Sequence, residues 1–335
     1  MNKNFYFHRF SVAPMLNWTD RHCRYFYRKL SSKVLLYTEM IPTSAIIHGK
    51  NNYLAFNREE HPVVLQLGGN NPKDMAKCAK LAEIYGYDSI NMNVGCPSNR
   101  IHNSGFGACL MNDAFIVANC IKAMRDVVNI PVTVKTRIGI DNQDNYEFLS
   151  NFVNIVSQYG GCNTFIIHAR KALLSGLKPK ENRKIPPLNY SHVYSLKRNF
   201  PNINIVINGE INTLEEAQIH LLYLDGVMIG REAYQNPKIL TRVDKDIFGC
   251  NTSSVDLIKL VRSMYPYIQS ELAKGVYLNS ITKHMLGLFK NMSGSSQWRR
   301  LLSTNINRKK SDISILKETV DLLENNFFNK NKDFS

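Results

Sequence analysis

Eight short apolar segments recur along the first 240 residues, and several of them are separated by segments with helical periodicity. The apolar segments are rich in β-branched residues and are apolar along nearly their whole length. Strands of this kind are typical of a parallel sheet that is covered on both faces. The predicted strands span residues 10–15, 34–41, 62–69, 88–95, 130–139, 164–170, 203–209 and 225–232.

The segments between the strands carry signals of helix boundaries. Residues 71–86 open with Asn-Pro, a cap followed by a first-turn proline, and close on a glycine. Residues 112–128 and 212–223 carry similar signals. This repetition of strand and helix predicts an α/β fold, a closed (β/α)8 TIM barrel. An open doubly wound sheet is the alternative, although no GxGxxG follows the first strand.

The pattern changes near residue 241, after which helical segments follow one another with no strand between them. Residues 254–275 and 314–327 are the clearest of these segments. We therefore predict two domains, a barrel over residues 1–240 and a smaller all-helical domain over residues 241–335.

The chain is strongly basic, with 42 Lys and Arg against 27 Asp and Glu and a formal net charge of +15. This excess favours a polyanionic partner such as nucleic acid, with compositional bias as the alternative explanation. No segment has the apolar length of a signal peptide or a membrane span. The seven cysteines form no CxxC pair, so neither a metal site nor a disulfide framework is expected. We expect a cytoplasmic protein.

Residues able to carry chemistry stand at the ends of seven of the predicted strands, where a barrel of this kind places its active site. A single lysine or histidine there is usually a core residue. At matching depths on successive strands, such residues together indicate one pocket. They are Pro14, Met15, Gln66, Asn93, Cys96, Lys135, Arg137, His168, Arg170, Asn208, Gly209, Gly230 and Arg231.

The composition of this pocket suggests a ligand with a phosphate and a redox-active ring. Glycines after the seventh and eighth strands bring backbone N–H groups close to an anion, and Arg231 adds a fixed charge. Lys135 suits a planar ring that becomes anionic on reduction, and Gln66 offers a donor and an acceptor to a pyrimidine-like edge. With no nicotinamide fingerprint present, these features suggest flavin mononucleotide (FMN).

Seven segments together resemble the tRNA-dihydrouridine synthases, and in particular their bacterial A-type branch. They are residues 13–28, 35–40, 66–72, 90–98 (INMNVGCPS), 134–141 (VKTRIGID), 165–188 and 225–237. The resemblance covers nearly the whole barrel and is weaker in the helical region. It implies FMN, NADPH as the hydride donor, and a helical tRNA-binding domain. It also implies reduction of D-loop uridines near position 20 (20/20a).

The same resemblance implies roles for individual residues of this chain. Those implied to contact the flavin ring are Pro14, Met15, Leu16, Gln66, Lys135 and His168. Those implied to hold its phosphate are Asn208, Gly209, Glu210, Gly230 and Arg231. Those implied to contact tRNA are Asn93, Lys180, Arg183 and Arg299. Glu210 departs from the branch, which typically has glycine there, so its carboxylate is expected to point away from the phosphate.

Reduction of the uracil 5,6 double bond needs a hydride at C6 and a proton at C5. Flavin N5, loaded by NADPH, supplies the hydride. We expect Cys96 to be the catalytic acid, because a thiol is mostly protonated at neutral pH and still an adequate donor. The alternative is a buried structural thiol, as expected for Cys78 and Cys120. The uridine has to leave its base stack to reach the pocket.

These features predict an NADPH-dependent flavoprotein oxidoreductase that modifies tRNA and acts as a monomer, with no metal, membrane or protein partner. Two other functions stay open. A small-molecule FMN oxidoreductase, for example one acting on free dihydropyrimidines, explains the pocket but neither the charge nor the helical region. A non-catalytic RNA-binding protein explains the charge but would carry no flavin.

Overall fold

The computed structural model describes residues 7–98, 104–305 and 312–332. Eight parallel strands form a closed barrel in which each strand pairs with the next along the chain and the last pairs with the first. The predicted TIM barrel is thereby confirmed. The strands are β1 (Phe10–Val12), β2 (Leu35–Pro42), β3 (Val63–Gly68), β4 (Ser89–Val94), β5 (Val132–Arg137), β6 (Thr164–His168), β7 (Asn204–Asn208) and β8 (Gly226–Ile229).

Helices alternate with these strands and continue alone after β8. The helices of the alternating part are α1 (Arg21–Leu30), α2 (Thr43–His48), α3 (Pro72–Tyr85), α4 (Ala114–Arg125), α5 (Tyr146–Gln158), α6 (Tyr190–Asn199) and α7 (Leu214–His220). Those after β8 are α8 (Arg231–Gln235), α9 (Val243–Asp246), α10 (Leu257–Ser263), α11 (Tyr265–Ala273), α12 (Leu278–Thr282), α13 (Ser295–Asn305) and α14 (Ser314–Lys332). Short 3-10 helices span Arg58–Glu60, Gly107–Asn112, Glu181–Arg183, Pro237–Arg242 and Lys283–Met285.

The boundaries of α3 follow the predicted signals. The Asn71 side chain accepts hydrogen bonds from the backbone N–H groups of Lys73 and Asp74, so it caps the first turn. Gly86 ends the helix with φ of 88°, a left-handed conformation that favours glycine.

Every strand except β2 is shorter than predicted, and the reason is identifiable for β1 and β8. Strand β1 ends at Val12 instead of residue 15, because Pro14 has no N–H to donate to a ladder. Strand β8 ends at Ile229, because the chain enters helix α8 at Arg231.

Apolar side chains fill the interior of the barrel. One buried cluster draws on six of the eight strands or the residues directly after them, and Phe7 and Met15 pack against it. The barrel is therefore a packed core and not a pore. The members of the cluster are Ala13, Leu35, Tyr37, Val64, Ile166, Val206 and Met228.

Contacts divide the described chain into two compact units. Residues 7–19 and 35–230 form the first, and residues 20–34 form the second together with the described residues from 231 onward. Helix α1, although it follows β1 in the chain, thus belongs to the second unit. The predicted domain division after residue 240 stays a prediction. Within the described residues, no helix is both long enough and apolar enough to span a membrane.

Helix α1 is bound into the second unit by aromatic and charged contacts. The ring of Tyr25 stacks on that of Tyr267, with centroids 3.7 Å apart. The Asp20 carboxylate caps the helix by accepting from the backbone N–H groups of His22 and Cys23, each at 3.0 Å. The same carboxylate contacts His284 Nε2 at 3.0 Å. Burial opposes ionisation of Asp20, but these contacts outweigh it and hold the pKa of the carboxyl well below its usual range.

We expect Asp20→Asn to lower the thermal stability at pH 7 and Asp20→Ala to lower it further. Asparagine keeps the cap and loses the charge, whereas alanine loses both, at a cost of about 1 kcal/mol for the cap alone. Because the pKa of Asp20 is depressed in the folded protein, its ionised form stabilises the protein above the unfolded pKa, and that stabilisation is lost on acidification. The difference in Tm between wild type and Asp20→Asn should therefore be constant above about pH 5 and shrink below about pH 4. Equal Tm values at pH 7 would contradict this role.

Candidate active site

The eight strands run in one direction, so their carboxyl ends meet at one mouth of the barrel. The strand register places Asn93 opposite Lys135 and His168 opposite Asn208. The structure thus brings most of the predicted site residues to this mouth. They are Pro14, Met15, Leu16, Gln66, Asn93, Cys96, Lys135, His168, Asn208, Gly209, Glu210 and Gly230.

Cys96 lies two residues beyond the end of β4 and is half-buried. The side-chain oxygen of Asn93 accepts hydrogen bonds from the backbone N–H groups of Gly95 at 3.2 Å and Cys96 at 3.0 Å. Burial raises the pKa of the Cys96 thiol, outweighing the opposing effect of nearby cations. The thiol is therefore protonated at neutral pH and able to donate a proton.

Lys135 is a half-buried cation on β5. Its Nζ donates a hydrogen bond of 3.1 Å to Asn208 Oδ1, and Asn208 in turn donates to the backbone oxygen of Met228 at 2.8 Å. Burial, together with the positive charge of Arg137, lowers the pKa of Lys135 to about 7. An ammonium group has three donors, and within the described residues Lys135 uses one of them. Two donors are left for a ligand.

Gln66 is more buried than its predicted role suggests. Its side chain is 1% exposed, and its amide pairs with two neighbours. Oε1 accepts from Asn93 Nδ2 at 2.9 Å, and Nε2 donates to Asn91 Oδ1 at 2.7 Å. Asn91 was not among the predicted site residues, because it lies inside its predicted strand and not at the end.

The loop after β1 lies next to the end of β8. The backbone N–H of Ala13 donates to the oxygen of Ile229 at 2.8 Å, and Leu16 is 67% exposed. A Cβ atom added at Gly230 would lie 3.8 Å from Ala13 Cβ and 4.0 Å from Met15 Sδ, with no closer neighbour. These are ordinary van der Waals distances, so the loop packs against the end of β8 without crowding it.

The departure at Glu210 is compensated by a buried arginine. Glu210 adopts φ of 51°, which is uncommon for a residue with a side chain. Its Oε2 contacts Arg170 Nη2 at 2.5 Å, and the side chain of Arg170 is 5% exposed. The preceding residue, Gly209, accepts a hydrogen bond of 2.6 Å from the Tyr190 hydroxyl. The carboxylate of Glu210 thus forms an ion pair with the guanidinium of Arg170.

Arg137 connects two loops of the mouth. Its guanidinium donates to the backbone oxygens of Gly95 at 2.8 Å, Lys171 at 2.8 Å and Asn182 at 3.1 Å. The turn before Cys96 is thereby linked to the loop after β6. The strand-end position of Arg137 is visible in the sequence, but these backbone partners are not.

The predicted tRNA contacts lie in both units. Lys180 and Arg183 are exposed in the loop after β6, and the charge of Arg183 acts on Cys96. Arg299 is exposed on α13 in the second unit. Arg231, which was predicted to hold the flavin phosphate, begins α8 and also belongs to the second unit. Among the described residues, no group of three His, Cys, Asp or Glu is placed to hold a metal ion.

Comparison with known proteins identifies related sequences over nearly the whole chain. A family model described as "Dihydrouridine synthase (Dus)" matches residues 11–326. The tRNA-dihydrouridine(20/20a) synthase of Escherichia coli O6:H1 is 63% identical over 316 residues, covering 94% of this chain and 96% of the relative. The protein of the same name from Yersinia pestis is 59% identical over 320 residues, covering 96% of this chain and 93% of the relative.

A solved structure supports the fold. A complex of 2-naphthoyl-CoA reductase with 2-naphthoyl-CoA is similar with a TM-score of 0.56 and 11% identity. The similarity covers 71% of this chain and 50% of the reductase chain, so this chain spans about half of its length. At this identity, the likeness concerns the fold alone.

We expect Lys135→Met to raise the Tm of the flavin-free protein by about 3–5 °C at pH 7. Because the pKa of Lys135 is about 7 in the folded protein and about 10.4 when unfolded, the buried amine opposes folding below the unfolded value. The penalty grows as the pH falls from about 10.4 to about 7 and is constant below that. The gain in Tm should follow this pH dependence in calorimetry. Lys259→Met, at a lysine whose side chain is 83% exposed, is the control; a gain at Lys135 that does not vary with pH would contradict the argument.

Proposed function

The chain belongs to the dihydrouridine synthase family, and on this basis we propose that it reduces uridines of tRNA to 5,6-dihydrouridine at D-loop positions 20 and 20a. The observation that carries the proposal is the half-buried thiol of Cys96, which keeps its proton at neutral pH beside the cation Lys135. The family match extends through the helical region to residue 326. This extent favours a tRNA substrate over free dihydropyrimidines.

A flavin suits the residues at the mouth, and we propose FMN as the cofactor and NADPH as the reductant. Among the described residues Lys135 makes one hydrogen bond, and burial lowers its pKa, so a negatively charged group beside it would stabilise the ammonium. The backbone at Gly230 carries no side chain, and a Cβ atom added there would meet only Ala13 and Met15, at van der Waals distance. The flavin, once reduced, supplies the hydride for uracil C6.

Each residue that we propose to hold this cofactor lies in a strand of the barrel or in the loop after one, apart from Arg231 on α8. The ring would be contacted by Pro14, Met15, Leu16, Gln66, Lys135 and His168. The phosphate would be held by Asn208, Gly209, Glu210, Gly230 and Arg231.

Cys96 is the proposed donor of the proton to uracil C5. Its raised pKa keeps the thiol protonated before the reaction. After donation, the positive charges of Arg137 and Lys135 stabilise the thiolate. Because the residue is half-buried, solvent can return the proton.

Asn93 is proposed to contact the extruded uridine, which has to leave its base stack to enter the mouth. One N–H of its amide donates to Gln66, and the other, which has no acceptor among the described residues, is available to the base. We propose that Lys180, Arg183 and Arg299 contact tRNA phosphates. The net charge of +15 supports this mode of binding.

The wider organisation follows from the same proposal. A catalytic barrel domain over residues 1–240 would carry the chemistry, and a helical domain over residues 241–335 would bind tRNA. We propose a monomer that acts in the cytoplasm and needs no membrane or protein partner.

We expect Cys96→Ala to reduce dihydrouridine formation by about 10²–10³-fold, because a positioned general acid contributes on that order. Flavin absorbance and the rate of flavin reduction by NADPH should be unchanged, since the thiol acts after the hydride source is loaded. Mass spectrometry of digested tRNA measures the product. Cys109→Ala is the matched control, because Cys109 is also half-buried and burial also raises its pKa. Full activity of Cys96→Ala would remove Cys96 as the acid.

Combined replacement of Lys180 and Arg299 by alanine should raise the KM for tRNA about tenfold, because two phosphate contacts are lost. The dependence of tRNA affinity on salt should weaken at the same time, with a log–log slope lower by about 1.5. NADPH oxidation in the absence of tRNA should be unaffected. Lys122→Ala/Lys259→Ala removes one exposed lysine from each unit as a control. An unchanged KM and salt slope would show that the proposed contacts are wrong.

A further inference from the structure

Three buried amide side chains form a continuous hydrogen-bonded row beneath Cys96. Asn91, Gln66 and Asn93 are 0%, 1% and 8% exposed. Gln66 Nε2 donates to Asn91 Oδ1 at 2.7 Å, and Asn93 Nδ2 donates to Gln66 Oε1 at 2.9 Å. The row ends at Asn93 Oδ1, which accepts from the backbone N–H groups of Gly95 and Cys96. Each amide in the row thus has its oxygen and nitrogen assigned by its neighbours.

The same direction is supported at the other end of the row, on β5. The hydroxyl of Thr133 donates its one proton to the backbone oxygen of Ile90 at 3.1 Å. Its oxygen can then only accept, and it accepts from Asn91 Nδ2 at 2.9 Å. Asn91 therefore presents its oxygen to Gln66, and the same orientation passes along the row to Asn93.

A reversed row would fail at Cys96. If Asn91 turned its nitrogen toward Gln66, Gln66 and then Asn93 would have to turn as well. The NH2 group of Asn93 would then face the N–H groups of Gly95 and Cys96, donor against donor. Two hydrogen bonds that hold the turn would be lost, and buried donors left without acceptors are costly.

We propose that Asn91 and Thr133 are positioning residues for the proton transfer. They fix the orientation of Gln66 and Asn93, and through Asn93 they hold the backbone of Cys96 where its thiol can reach the base. In this orientation one N–H of Asn93 donates to Gln66. The other has no acceptor among the described residues and is available to the uridine. The catalytic part of this inference rests on the proposed role of Cys96. The hydrogen-bonded row itself is independent of that role.

Thr133→Val tests the proposal, because valine has the shape of threonine but lacks the hydroxyl that directs Asn91. We expect backbone hydrogen exchange at Gly95 and Cys96, followed by NMR, to become roughly five- to tenfold faster, as for the loss of one hydrogen bond. The kcat for tRNA reduction should fall by a similar factor with an unchanged KM for tRNA. Thr133→Ser restores the hydroxyl and should restore both exchange and kcat.

A matched control removes a comparable hydroxyl elsewhere in the barrel. Thr164 on β6 is buried and accepts a hydrogen bond from Asn204 at 3.3 Å, outside the amide row. Thr164→Val should leave exchange at Cys96 and kcat unchanged, which separates positioning from a general loss of barrel stability.

The outcomes distinguish this proposal from the proposed function. Unchanged exchange in Thr133→Val, or no recovery in Thr133→Ser, would overturn the row as the support of Cys96. Faster exchange with an undiminished kcat would overturn the positioning role. Faster exchange in Thr133→Val together with a wild type that makes no dihydrouridine would support the row and overturn the proposed function alone.

Discussion

The pairing of β1 with β8 closes the sheet, and the arrangement of the mouth depends on it. Strand β1 has three residues, Phe10–Val12, and each of them pairs with β8. Closure leaves the barrel with no sheet edge and gathers all eight carboxyl ends in one ring. Lys135 on β5 reaches Asn208 on β7 across the intervening strand, as the curvature of a closed barrel allows. The short first strand therefore controls the geometry of residues that are far from it in sequence.

The barrel also buries polar groups, and two kinds of them are paired differently. The amides of Asn91, Gln66 and Asn93 are buried but paired with one another, so they cost little and hold a single geometry. Lys135 is half-buried with one hydrogen bond and no carboxylate partner within the described residues. Burial then lowers its pKa to about 7. A paired amide row gives rigidity, whereas an incompletely paired lysine gives a place where an anionic ligand gains binding free energy.

The barrel and the location of the site are predictable from the sequence because both depend on local patterns. Apolar strands alternate with helices along the chain, and parallel strands place their final residues at one mouth of the barrel. Contacts that depend on loop conformation are not predictable in this way. The ion pair of Glu210 with Arg170 joins residues 40 positions apart. Arg137 donates to backbone oxygens, which every residue has, so the residue types in the sequence do not indicate these partners. The sequence also does not predict that α1 belongs to the second unit. Its amphipathic pattern indicates that one face is buried, but not which elements that face packs against. The roles assigned to the site residues stay predictions.

The two buried arginines near the mouth differ in a way that bears on Cys96, the proposed acid. Arg170 pairs with the carboxylate of Glu210, so the positive charge of Arg170 is largely neutralised by its neighbour. Arg137 bonds only to carbonyl oxygens within the described residues, so it keeps its full charge, and that charge acts on the Cys96 thiol. An acid has to hold its proton before the reaction and leave a stable base afterwards. Burial provides the first property of Cys96, and an arginine without a carboxylate partner provides the second. A carboxylate beside Arg137 would cancel that charge and weaken the acid without moving the thiol.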